Sequence, residues 1–263
     1  MVIIWLKRYS IKLLFLVAAS ALVATGAWLT NVQFDEKLLF TIYLANLGTW
    51  FLYGFDFRKP FKAGWQRLFI AQLLVAFGFS VCYLSGVQFL VLGFIFLLVL
   101  LYQAEIPLIG KGFQIKKLLV FKNLLIGISW ASLIPFGAND LYQPTTQFMF
   151  WFVTVQVGFG SIIRDINDVA HDRLNGLITL PIYLGIPKTL LVLNMVNLLS
   201  IFICVPFVGF DPASWMYLFS IAVIIYKAFI LFRVQQNHDQ QIWTQYLNIL
   251  TCLLIFLLTC FFY

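Results

Sequence analysis

Three carboxylates lie close together in a chain that has few charged residues. Asp165, Asp168 and Asp172 are three of the ten acidic residues among 263, and they follow the uncharged run TTQFMFWFVTVQVGFGSII, residues 145–163. A helix that continues past Ile163 would place them at positions i, i+3 and i+7, within an arc of about 60°. Like charges on one face repel one another unless a cation lies among them. The spacing therefore predicts one acidic helix face that attracts a cation.

The chemistry that this acidic face favours is the binding of a metal and a diphosphate. Carboxylate oxygens suit Mg²⁺, which proteins bind through one or two carboxylates together with substrate phosphates. Two alternatives stay open: a solvated helix end whose acids are offset by Arg164 and Arg173, and an ion-coupling site of a transporter. Transporter sites tend to lie near the bilayer midplane on broken helices, whereas these aspartates follow the end of an apolar run. The position therefore favours Mg²⁺ bound to Asp165, Asp168 and Asp172.

The segment after the aspartates predicts a change of chain direction. Gly176 follows Asp172 by four residues, and Thr179-Leu180-Pro181 and Gly185 come next. Glycine and proline interrupt helices, so we expect the chain to turn along the membrane surface before the next apolar run.

The composition shows which solvent surrounds the elements that carry these residues. Hydrophobic residues make up 62% of the chain, against about 45–50% in soluble domains. This predicts an all-α integral membrane protein that forms a single helical membrane domain over residues 1–263. The net charge of +7 does not indicate a nucleic-acid partner, because the basic residues are dispersed among the apolar runs. The four cysteines lie inside apolar runs without metal-ligand spacing, which is typical of small buried side chains.

Nine apolar segments are long enough to cross a bilayer. They cover residues 11–29, 38–55, 68–84, 87–104, 118–136, 145–163, 189–208, 213–232 and 246–263. Because the connections alternate sides, nine spans place every Lys and Arg except Lys37 on one side. The positive-inside rule then predicts a cytoplasmic N-terminus and cytoplasmic aspartates. The basic start and small residues of the first segment also fit a secretory signal, and that alternative stays open.

The segment DINDVAHDRLNGLITLPIYLG, residues 165–185, resembles the second aspartate-rich motif of the UbiA superfamily of intramembrane prenyltransferases. The three aspartates, Gly176 and the Thr-Leu-Pro triplet all keep the family's register. The resemblance implies a bundle of nine transmembrane helices with its site at the cytoplasmic ends of helices two and six. It also implies that Asp168 and Asp172 are catalytic.

A second resemblance lies in KKLLVFKNLLIG, residues 116–127. Members of the superfamily commonly have a basic pair, then a polar residue and a glycine, at this spacing. The resemblance implies that Lys116, Lys117 and Asn123 contact the diphosphate, although the two lysines also fit ordinary positive-inside anchors. Lys122 lies one turn inside the predicted helix, so it needs either to snorkel to the interface or to pair with an anion.

The first aspartate-rich motif of the family, Asn-x-x-x-Asp-x-x-x-Asp, is degenerate here. Asn46 matches, but Trp50 and Gly54 stand at the two aspartate positions, and Asp56 is out of register by two. With fewer acids to hold metal, the chain could bind a single Mg²⁺, use replacement cations such as Arg58, or have lost catalysis. Asn46 and Arg58 are therefore further candidates for binding the diphosphate.

The sequence thus predicts Mg²⁺-dependent transfer of an isoprenyl group from an allylic diphosphate to an aromatic or other lipid-soluble acceptor within the membrane. The alternative is an inactive UbiA-like protein that binds an isoprenoid or serves as a membrane scaffold, and a transporter is a further one. The expected partners are the diphosphate, a hydrophobic acceptor and the lipid bilayer. We expect a multi-pass protein of a bacterial cytoplasmic membrane, with its site facing the cytoplasm.

Overall fold

The computed structural model describes residues 2–54, 63–103, 119–174, 176–211, 213–236 and 241–263, and these residues form helices without any strand. The first part of the chain contains four long helices. They are α1 (Val2–Leu29), α2 (Glu36–Gly54), α3 (Ala63–Tyr83) and α4 (Gly86–Gln103). Asp35 caps α2, because its carboxylate accepts a hydrogen bond from the backbone N–H of Leu38 at 2.9 Å.

The second part of the chain contains shorter helices between the long ones. These are α5 (Phe121–Ala131), α6 (Leu133–Ala138), α7 (Pro144–Asn167), α8 (Val169–Leu174), α9 (Leu180–Leu184), α10 (Ile186–Leu199), a 3₁₀ helix (Ser200–Cys204), α11 (Val205–Val208), α12 (Trp215–Gln236) and α13 (Gln241–Phe262). A proline at the start of α7, α9, α10 and α11 fits the first helical turn, where its missing N–H has no partner to lose.

The all-helical class predicted from the sequence is confirmed. In the described part of the chain, four helical segments are long and apolar enough to cross a membrane: 121–138, 144–167, 186–208 and 215–236. Shorter apolar helices cover 13–29, 74–83, 86–98 and 247–262 among the described residues. The count of nine spans stays a prediction.

Close helix pairs are built on glycines. In the contact of α1 with α6, a Cβ on Gly26 would lie 2.0 Å from the carbonyl oxygen of Ile134, and one on Gly137 would lie 2.0 Å from that of Val23. Only residues without a side chain permit such an approach, as in many membrane helix pairs. A second close pair, α5 with α7, also packs through glycines and carries the predicted site.

Candidate active site

The end of α7 differs from the continuous helix that the aspartate spacing predicts. Helix α7 ends at Asn167, Asp168 adopts φ −94° and ψ 4°, and the short α8 begins at Val169. The prediction of one acidic face is therefore wrong. Asp168 lies at this break and is half exposed, whereas Asp165 and Asp172 on either side of it are buried.

Asp165 is buried and has two side-chain partners on α5. Lys122 Nζ lies 2.8 Å from Asp165 Oδ1, and Asn123 Nδ2 donates a hydrogen bond to Asp165 Oδ2 at 3.1 Å. The Asn123 amide also donates to Ser161 Oγ at 2.7 Å. Lys122 therefore has the anionic partner that its position inside the helix requires.

Asp172 is buried on α8 and faces the same lysine. Its Oδ2 lies 3.9 Å from Lys122 Nζ, within ion-pair range but beyond a hydrogen bond. Neither that oxygen nor the buried hydroxyl of Thr179 has a hydrogen-bond partner among the described residues. The backbone fixes Asp172 in place, because its N–H donates to Asp168 O at 2.8 Å and its carbonyl accepts from Leu177 N–H at 2.9 Å.

Asp168 lies apart from this pair. Its side chain is 49% exposed, and its Oδ2 is 4.0 Å from Arg164 Nε one turn earlier. Exposed pairs of this kind contribute little, about 0.3–0.5 kcal/mol. The structure therefore joins Asp165 and Asp172 through Lys122 and leaves Asp168 facing outward.

Two glycines bring the helices of the site together. A Cβ on Gly127 of α5 would lie 2.3 Å from the carbonyl oxygen of Thr154 on α7, and a Cβ on Gly158 of α7 would lie 3.2 Å from that of Asn123. Gly127 follows Asn123 by four residues, so both lie on the face of α5 that packs against α7. This gives a physical reason for the asparagine–glycine spacing in the sequence.

The predicted turn after the aspartates is present. Gly176 and Gly185 have φ of 64° and 80°, in the left-handed region that favours glycine. Between them Thr179 is extended and α9 begins at Leu180. The helical path is thus interrupted after Asp172, between α8 and α9, as the glycines predict.

The aspartates as arranged do not fit a magnesium ion. No group of three carboxylate, histidine or cysteine side chains among the described residues could hold a metal. Asp165 is occupied by Lys122 and Asn123, and the Lys122 ammonium lies between Asp165 and Asp172. Mg²⁺ demands octahedral oxygen ligands at about 2.0–2.1 Å, and an ammonium already on the same carboxylate repels it.

The remaining candidates for diphosphate binding are placed only in part. Lys116, Lys117 and Arg58 lie outside the described residues, as does the off-register Asp56. Asn46 on α2 is half-buried and donates a hydrogen bond to Ser20 Oγ of α1 at 3.0 Å, so its amide joins α1 to α2 rather than reaching the aspartates.

Two residues of the site were not among the predicted ligands. Lys122 was expected to need an anion, but the sequence did not identify Asp165 as its partner. Ser161, whose hydroxyl accepts from Asn123 and donates to Gly158 O at 2.9 Å, lies four residues before Asp165 on the same helix face. That spacing is the signal that could have found it.

An apolar cavity of about 470 Å³ lies elsewhere, between α4, α6 and α7. The closest of its lining residues on α7, Trp151, precedes Asp165 by fourteen residues, about 21 Å along the helix axis. The cavity is therefore not part of the aspartate site.

A sequence model described as the UbiA prenyltransferase family matches residues 62–260, which is most of the chain. The chain belongs to the UbiA prenyltransferase family. This UbiA family member is therefore an integral membrane protein, consistent with its apolar helices. The match includes α5, α7 and the turn after Asp172, so the site described above lies within the family region.

A solved structure of digeranylgeranylglyceryl phosphate synthase, studied for its mechanism in membranes, is similar to this UbiA family member. The TM-score is 0.63 over 96% of this chain and 97% of that chain, with 16% sequence identity. At this identity the likeness shows the fold alone. No curated protein matches the sequence.

Proposed function

We propose that this protein transfers an isoprenyl group from an allylic diphosphate to a lipid-soluble acceptor within the membrane. The observation that carries the proposal is the buried cluster of Lys122, Asn123, Asp165 and Asp172 at the junction of α5, α7 and α8. Family membership supplies the reaction class, and the cluster supplies charged groups in a site largely closed to water.

The reaction breaks the bond between the first carbon of the isoprenyl chain and the diphosphate oxygen. The diphosphate leaves with the electron pair, the acceptor adds to the allylic carbon, and the acceptor loses a proton. Cationic donors that face the leaving group stabilise the negative charge that develops on it. Lys122 is the described residue placed to do so, and Lys116, Lys117 and Arg58 stay proposed as further cations.

The three aspartates have different surroundings, and different roles are therefore proposed for them. Asp165 holds Lys122 and Asn123 in place, Asp172 offers a buried oxygen without a hydrogen bond to any described residue, and Asp168 is half exposed. We propose Asp168 and Asp172 as the catalytic pair. Mg²⁺ stays a prediction from the family resemblance, and the carboxylates as arranged do not fit it.

The allylic carbon gains positive charge during transfer, and aromatic faces can stabilise it. Trp130 lies on α5 seven residues, about two turns, beyond Asn123 and is packed against Phe15 with 5.9 Å between ring centroids. It lines a cavity of about 60 Å³ with residues of α2, α4 and α6. We propose that the isoprenyl chain enters the bundle on this side of α5.

The site is proposed to face the cytoplasm. The distribution of lysine and arginine supports this orientation, because Lys37 alone falls on the opposite side of the predicted spans. A bacterial cytoplasmic membrane is the proposed location, where water-soluble diphosphates and membrane-dissolved acceptors meet at the inner surface.

The test is turnover by purified protein in lipid nanodiscs supplied with labelled geranylgeranyl diphosphate and a lipid extract as the source of acceptor. Pyrophosphate release and labelled lipid are measured for wild type, Asp168→Ala and Asp172→Ala, with Glu36→Ala as the control. Glu36 is exposed at the start of α2, away from the cluster. We expect turnover in wild type and control and none in the two aspartate variants.

Diphosphate binding without any product would instead indicate an isoprenoid-binding protein that has lost catalysis. The replacement of the first motif's two aspartates by Trp50 and Gly54 is consistent with that outcome. Turnover that survives in both aspartate variants would show that the site lies elsewhere.

A further inference from the structure

Lys122 occupies the position between two buried carboxylates where a metal-binding site of this composition would hold its cation. Its Nζ is 2.8 Å from Asp165 Oδ1 and 3.9 Å from Asp172 Oδ2, and its side chain is 12% exposed. The ammonium carries three N–H donors, and among the described residues only the one to Asp165 makes a hydrogen bond to a carboxylate. Donors therefore remain for a further anionic ligand.

The sequence also favours a lysine, rather than a metal, as the cation of this site. The sequence lacks both aspartates of the first family motif, since Trp50 and Gly54 stand at those positions. The chain thus lacks two carboxylates that the family resemblance assigns to the metal site. A fixed cation lies between two of the carboxylates that remain.

We propose that Lys122 is a built-in cation that replaces a carboxylate-bound metal in the binding of the diphosphate. Its ammonium offsets one of the two negative charges of Asp165 and Asp172 and donates to a diphosphate oxygen, as lysines do in other phosphate sites. The inference rests on the proposed function, because it specifies how that same site binds its diphosphate. It predicts that binding of the allylic diphosphate does not require Mg²⁺.

Replacing Lys122 should make binding of the diphosphate dependent on Mg²⁺. In Lys122→Met the two carboxylates lose the ammonium that offsets one of their two negative charges, and they become available to a divalent cation. Binding to this variant should therefore be weak in EDTA and strengthen when Mg²⁺ is added. Lys122→Arg keeps the charge and should keep binding in EDTA.

The experiment measures the dissociation constant of geranylgeranyl diphosphate in detergent, in excess EDTA and in saturating Mg²⁺. The proteins are wild type, Lys122→Met, Lys122→Arg and the control Lys188→Met, which removes an exposed lysine at the start of α10. We expect Lys122→Met to bind about tenfold to a hundredfold more weakly than wild type in EDTA. The control should match wild type in both conditions.

Each outcome decides the inference. The inference is overturned, while the proposed function stands, if wild type binds the diphosphate only with Mg²⁺ or if Lys122→Met binds it as tightly as wild type in EDTA. If wild type binds the diphosphate neither in EDTA nor in Mg²⁺, the proposed function and the inference both fail. If Lys122→Met does not fold, the double variant Lys122→Met/Asp165→Asn, which buries no unpaired carboxylate at that contact, takes its place in the comparison with wild type in EDTA.

Discussion

Asn123 on α5 donates a hydrogen bond to Asp165 on α7, with 3.1 Å between Nδ2 and Oδ2. The same amide donates to Ser161 Oγ at 2.7 Å, so both of its N–H groups are used by α7. An amide held at two points fixes the direction of the carboxylate, and the carboxylate in turn holds Lys122. The position of the cation in this site therefore depends on a neutral side chain beside it.

Replacing Asn123 with leucine, which has a similar size and no amide, should lower the rate of pyrophosphate release by about tenfold to a hundredfold. Asp165 would lose a donor and its fixed orientation. Asn123→Asp should reduce the rate further, because it places a second negative charge beside Asp165. The matched control is Asn194→Leu, at a half-buried position on α10. A rate in Asn123→Leu equal to that of wild type would show that Lys122 alone orients the carboxylate.

Gly127→Ala should separate α5 from α7, because the new methyl group would lie 2.3 Å from the carbonyl oxygen of Thr154, a backbone atom that cannot rotate away. We expect a loss of about 1–3 kcal/mol in stability, measured as a lower melting temperature in detergent, together with weaker diphosphate binding. Gly93→Ala on α4 is the control, since nothing lies within 4 Å of its added Cβ. Equal melting of Gly127→Ala and wild type would refute the close approach of these helices.

The fold was predictable because its signals are local in the sequence. Long apolar runs indicate membrane helices whatever their neighbours, and Gly176 and Gly185 mark turns because their left-handed backbone favours glycine. The asparagine–glycine spacing on α5 likewise depends on one helical turn. Each of these features can be read within a few residues.

The arrangement of the site was less predictable because it depends on contacts between distant segments. Lys122 and Asp165 are 43 residues apart, and the distance between their helices is set by glycines at the crossing. Helical period alone also gave the wrong environment for Asp168, since the helix breaks at that residue. Spacing could therefore indicate a cation among the aspartates but could not show that the cation is a lysine of this chain.

A second lysine is buried in the bundle without a carboxylate. Lys227 on α12 is fully buried, donates a hydrogen bond to the backbone carbonyl of Gln156 at 3.1 Å, and lies 5.3 Å from the centre of the Phe159 ring. Among the residues that the structure describes, it has no salt bridge. Gly160 leaves room for it, because an added Cβ there would lie 3.3 Å from Lys227 Nζ and 1.8 Å from Asn248 Oδ1.

Lys227→Met should therefore fold and melt at or above the temperature of wild type. Methionine fills a similar volume and removes a buried charge whose desolvation outweighs one hydrogen bond to a carbonyl, a change that is often neutral or stabilising by about 1–4 kcal/mol. Lys188→Met, which removes an exposed lysine, should shift stability by no more than about 0.5 kcal/mol and serves as the control. The measurement is thermal unfolding in detergent, with diphosphate binding as a second readout.

A Lys227→Met protein that unfolds at a lower temperature than wild type would show that the ammonium stabilises the packing of α7 with α12. One that folds but no longer binds the diphosphate would show that this lysine acts on the site from within the bundle.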